Sequence, residues 1–129
     1  MTERELALRG QVMRAFVRTG APPPEPDDRE TLHRLADQHV VVLGPEDRIL
    51  MAHPFAAPGG DATVEAGGRM WWGSCAWDAL GIVAALRLDR ARVTSTGVAL
   101  EVAGGEVEPG PVFHVEVPAR EWWDDIAHT

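Results

Sequence analysis

The chain has 129 residues, 45% apolar and 25% charged, enough to bury one core and too apolar for a disordered chain. Twelve basic residues, all arginine, stand against 20 acidic ones for a net charge of −8, which argues against nucleic acid or an anionic membrane as a partner. One cysteine rules out an internal disulfide framework and fits a reducing compartment. No apolar run approaches the roughly 18 residues of a membrane span, and Met1-Thr2-Glu3-Arg4-Glu5 lacks the apolar core of a signal peptide. A soluble cytoplasmic protein is expected.

Residues 3–18 space Leu6, Val12, Met13, Phe16 and Val17 as one face of an amphipathic helix, with Gly20 as its stop. Ala21-Pro22-Pro23-Pro24-Glu25-Pro26 cannot be helical and serves as a stiff connector. Asp27 and Glu30 read as a capping box opening a short helix over 28–37 that buries Leu32 and Leu35. Val40–Leu43 and Arg48–Met51 flank Gly44-Pro45-Glu46-Asp47 as a β-hairpin. Helix, helix and hairpin outline a reduced winged-helix-like lobe over residues 1–55, closed by His53-Pro54-Phe55. Arg14, Arg18, Arg29 and Arg34 read as its solvated face rather than a DNA-facing one. His53 reads as a packing or hydrogen-bonding residue at the lobe junction, and His33, His39 and His128 carry no spacing signal.

After a Gly/Ala/Pro-rich loop at 56–62, residues 63–72 suggest a strand interrupted by Gly67-Gly68. Ser74 reads as the N-cap of a helix over 75–88. That helix is apolar around most of its circumference, the pattern of a buried helix, so Asp78 on it needs either a partner or a proton. Strands are expected at 92–95, 98–102 and 112–117, with glycine and proline turns between them. A short element from Arg120 to Ile126 carries Trp122 and Trp123, expected to cover the sheet.

The chemistry concentrates in Gly73-Ser74-Cys75-Ala76-Trp77-Asp78. A thiol in the first turn of a helix sits where the macrodipole and unpaired N–H groups favour the thiolate. Asp78, three residues on, lies on the same face, and a carboxyl group in apolar surroundings tends to keep its proton. Nucleophile and proton donor would share one turn. Trp71, Trp72 and Trp77 are candidate walls of a dry substrate pocket and equally good core anchors.

From these residues the chain resembles the organomercurial (alkylmercury) lyase family over nearly its whole length. The resemblance runs through the truncated winged-helix-like lobe, Ala52-His53-Pro54-Phe55, Trp71-Trp72-Gly73-Ser74-Cys75-Ala76-Trp77-Asp78-Ala79-Leu80, and Val117-Pro118-Ala119-Arg120-Glu121-Trp122-Trp123. Cys-Ala-x-Asp-x-Leu is its specific core. The resemblance implies that Cys75 attacks mercury and Asp78 shuttles the proton. It also implies a second cysteine on a C-terminal strand, where Glu108–His114 here holds no thiol. Soft Hg(II) prefers two thiolates, so a small external thiol or a weaker donor such as His114 would have to take that place.

The expected fold is α+β. A reduced winged-helix-like lobe (1–55) precedes an alkylmercury-lyase-like core (56–129), a small antiparallel sheet packed against a central helix. The expected function is cleavage of a carbon–mercury or related carbon–heteroatom bond in a small-molecule substrate. Cys75 and Asp78 are the catalytic pair, with Trp71, Trp72, Trp77 and His114 around the substrate. No resident cofactor is expected, Hg(II) or another soft metal being held only transiently by Cys75 and Asp78. The alternatives are a non-catalytic soft-metal-binding protein and a winged-helix regulator with Cys75 as a sensor.

Overall fold

The computed structural model describes residues 1–110 and 117–126. Helix α1 (Glu3–Thr19) opens on a capping box: Thr2 accepts from the Glu5 N–H, and the Glu5 carboxylate accepts from the Thr2 N–H. Its buried face is Leu8, Val12 and Phe16. Helix α2 (Arg29–Asp37) buries Leu32 and Leu35 as expected. Its cap is Asp28 rather than Asp27, because Asp28 takes both the N–H and the hydroxyl of Thr31. Glu30 does not complete a box there; it pairs with Arg34 instead. Arg34 also reaches the buried Glu5 of α1 at 3.2 Å, so an ion pair as well as apolar contact joins the two helices.

Strands β1 (Val42–Leu43) and β2 (Ile49–Ala52) form the expected antiparallel hairpin, and β3 (Phe55–Ala56) folds back on β2. Where one interrupted strand was expected, Gly67-Gly68 makes a two-residue turn between β4 (Ala62–Ala66) and β5 (Arg69–Gly73), with both glycines at positive φ. Helix α3 (Ala76–Ala85) follows, then β6 (Arg90–Ser95), β7 (Val98–Ala103) and β8 (Glu106–Val107). The strand expected at 112–117 lies, apart from Val117, outside the described residues. Among the described residues the eight strands belong to one antiparallel sheet in the order β1-β2-β3-β5-β4-β6-β7-β8. The fold is α+β, and residues before and after position 55 share this sheet and one hydrophobic core.

Register explains which face is buried. Trp71, Val64, Val93 and Leu100 stand in one cross-strand row over β5, β4, β6 and β7, each at most 6% exposed. The neighbouring row Glu65, Arg92 and Glu101 faces water and holds an Arg92–Glu101 pair. Each buried aliphatic side chain in the first row contributes about 1.5–3 kcal/mol. Phe16 of α1 stacks on Phe55 of β3 at 5.6 Å, extending that core to the helices.

Helix α3 connects β5 to β6 and packs on β4, β5 and β6. It is not buried all round. Ala79, Ile82 and Val83 face the core, while Trp77, Ala84 and Ala85 are exposed, because the sheet covers only one side of it. The helix ends at Ala85, three residues early, and Arg87 turns the chain with a φ of 53°. Among the described residues no helix is long and apolar enough to cross a membrane.

The C-terminus of α1 is fastened to β5. Gly20 caps it in the left-handed region (φ 73°), where a Cβ would stand 2.4 Å from the Met70 carbonyl oxygen. Gly20→Ala is therefore expected to cost about 2 kcal/mol or more, roughly 1–2 from the left-handed backbone alone and the rest from that collision. Urea unfolding checks this; a loss below about 0.5 kcal/mol, ordinary for a surface substitution, would mean the joint is not tight.

Candidate functional site

Strand β5 delivers the candidate nucleophile directly to the start of α3. The junction is tight: a Cβ on Gly73 would stand 3.0 Å from the Ala79 nitrogen and 3.2 Å from the Asp78 Cβ. Glycine thus lets the strand end press against the first turn of the helix.

The N-cap is Cys75 itself, not Ser74 as expected from sequence. Its backbone is extended (φ −151°, ψ 173°) and its Sγ accepts the Asp78 N–H at 3.5 Å. The thiol occupies the position that a serine or aspartate oxygen usually fills. It is exposed, so it is open to an external electrophile.

Ser74, displaced from capping, donates its hydroxyl to Asp78 Oδ2 in a short hydrogen bond. From the other side comes His53, in the turn between β2 and β3, whose Nδ1 lies 3.6 Å from the same oxygen. That is an ion-pair separation, slightly long for a hydrogen bond. Burial alone would raise the Asp78 pKa; the His53 ring and the Ser74 hydroxyl and N–H more than offset it, so the carboxyl sits below its ordinary value of 3.8. The expectation that Asp78 keeps its proton is thereby corrected. Its apolar helix does desolvate it, yet the two Ser74 donors and the imidazole favour the ionised form.

Of the expected surroundings, Trp77, two residues beyond Cys75, stands exposed and Trp72 is half-buried. Trp71 is 2% exposed and belongs to the core, its indole N–H donating to the Val17 carbonyl at 3.1 Å. It anchors α1 rather than walling an open pocket. His114 lies outside the described residues. A cleft of about 460 Å³ opens between α3 and β7–β8, and another of about 470 Å³ at the β4–β5 turn; neither is lined by Cys75 or Asp78. Among the described residues no group of three or more His, Cys, Asp or Glu side chains is placed to hold a metal ion. Cys75 and Asp78 are therefore close without forming a closed metal cage.

His53 was read only as a junction residue, and its place beside Asp78 is the addition the structure makes. Sequence distance hid it, since 25 positions separate the two and no repeat links them. Its proximity to Pro54, in the segment that carried the family resemblance, was the available hint. Trp122 and Trp123, expected over the sheet, sit in a 3-10 turn at Ala119–Asp124, where Trp122 donates to the Val117 carbonyl and Trp123 stacks on His39 at 4.0 Å.

A depressed carboxyl pKa makes a stability statement. The ionised Asp78 stabilises the fold above the unfolded-state value, and that contribution disappears as pH falls through the lower folded-state value. The native chain should thus exceed Asp78→Asn in stability most at neutral pH, with the gap closing at pH values below 3.8. Thermal melts at about pH 7 and about pH 3 check this; a gap that grows in acid would reverse the assignment.

Compared with known proteins, the chain matches no protein-family model and no curated protein. Among solved structures it is similar to the crystal structure of the mercury-bound form of MerB2, with a TM-score of 0.62 and 17% sequence identity. The match covers 84% of this chain and 60% of that one, so the chain spans about three-fifths of that protein's length. At such identity the likeness is one of fold, and the chain has a MerB-like α+β fold.

Proposed function

We propose that this chain is an alkylmercury-lyase-like enzyme. In this reading Cys75 attacks the mercury of an organomercurial, and Asp78 carries a proton to the departing carbon. The observation that carries it is the pairing at the start of α3: an exposed cysteine capping the helix through the Asp78 N–H, beside a carboxylate held ionised. The MerB-like fold supports it from the side of architecture.

An ionised Asp78 suits a shuttle better than a stored proton does. As the Cys75 sulfur bonds to mercury, its thiol proton passes to the Asp78 carboxylate. As the carbon–mercury bond breaks, its electron pair stays on carbon and takes that proton, releasing the hydrocarbon. Asp78 returns to the carboxylate, and mercury remains on Cys75 until an external thiol removes it. Positioned proton transfer of this kind contributes about 10²–10⁴ in rate. A small thiol, or His114, supplies the second donor that soft Hg(II) prefers. The exposed Trp77 offers an apolar surface for the organic group.

The test is benzene release from phenylmercury acetate in excess small thiol, followed by gas chromatography. Cys75→Ser and Asp78→Ala should each lower the rate by about 10² or more. Stoichiometric mercury capture by Cys75 without benzene would instead support a soft-metal carrier. Absence of both would end the mercury reading.

A further inference from the structure

His53 remains unexplained by packing alone. Its Nε2 is buried and has no hydrogen-bond partner among the described residues, a costly state that native structures keep for a reason. Its other nitrogen faces Asp78. Meanwhile the turn that carries it is seated on α3: a Cβ on Gly81 would lie 3.4 Å from the Pro54 Cβ, ordinary contact distance. Residues 78 and 81 are one turn apart on the same helix face, so His53 and Pro54 dock side by side on α3. Trp123 meets the His53 ring edge-on, with centroids 5.9 Å apart and planes at 81°, and is itself stacked flat on His39. The imidazole is thus held by the turn beneath it and by an aromatic edge.

We propose that His53 is a positioning residue for the Asp78 carboxylate in the site described above. Ser74 and His53 approach one carboxylate oxygen from two chain segments, and this fixes the rotation of the group. Without His53 the carboxylate is tied only to Ser74, on its own side of the junction. It can then swing away from Cys75, whose thiol proton it must be in place to accept when the sulfur attacks. His53 itself neither touches the substrate nor forms a bond in this scheme. The role rests on the lyase reading for its consequence in turnover, but not for its effect on Cys75.

Two measurements separate those claims. The first is the alkylation rate of Cys75 by iodoacetamide at neutral pH, which needs no mercury chemistry. His53→Ala should slow it severalfold, and His53→Asn, whose amide can donate from the place of Nδ1, should restore most of it. In an Asp78→Asn background, His53→Ala should change nothing further, because the effect runs through Asp78. The second is benzene release, where His53→Ala should lower kcat about tenfold with KM unchanged, the usual size for a group that orients a reacting side chain. Circular dichroism confirms folding, and the folded His53→Asn protein serves if the alanine variant does not fold. Equal alkylation rates in native and His53→Ala chains, or a His53 effect that persists without Asp78, would overturn the proposal. If alkylation behaves as expected and the native chain releases no benzene, the positioning role stands and the lyase reading falls.

Discussion

Two side chains of β5 and the last carbonyls of α1 hold the helical and sheet parts of this protein together. A helix ends with four carbonyls that no helical N–H can reach. Here Arg69 donates to the Val17 and Arg18 carbonyls, and the Trp71 indole donates to Val17. The Arg69 guanidinium also lies over the Trp71 ring, 4.6 Å from its centroid. Gly20 brings the chain close enough for this, because any side chain there would run into β5. Everything nearby follows from that seating. With α1 in place, Phe16 stacks on Phe55, and β3 is held against the same core.

The same strand leads into the site. Two residues beyond Trp71, Gly73 closes on the first turn of α3, and Ser74 and Cys75 follow. From the other direction, β3 is preceded by Pro54 and His53, which return to that turn of the helix. The site is therefore where two chain segments, each fixed by the α1 joint, meet at one helix start. Its groups divide the work that capping residues normally combine. The thiol satisfies a backbone N–H, and the hydroxyl that could have done so binds the carboxylate instead. Sulfur is a weak acceptor, so the cap is poorer than serine would give, and an exposed thiol is what the chain has in exchange.

Asp78 is held on the first turn of α3 by donors from two chain segments. They lower its pKa while spreading its charge over the Ser74 groups and the imidazole, and the N-terminal end of the α3 dipole adds to the same effect. In the proposed function this group accepts and returns a proton within one turn of helix.

Much of this was legible along the chain. Helical periodicity in α1 and α2, the Pro-rich connector, the β1–β2 hairpin and the β6 and β7 alternation all depend on neighbours within a few residues. Local physics decides them. The same holds for the nearness of Cys75 and Asp78, which three-residue spacing on a helix guarantees. What the chain alone could not decide was which residue caps α3, whether Asp78 carries its proton, and that His53 stands beside it. Those outcomes turn on competition among donors brought together from residues 53, 74 and 78, and on a sheet that covers one side of α3 and leaves the other in water. Burial of Trp71 was settled in the same way, by the α1 carbonyl waiting for its indole. Spacing sets what is adjacent within an element; only packing between elements sets which charges are shared and which surfaces are dry.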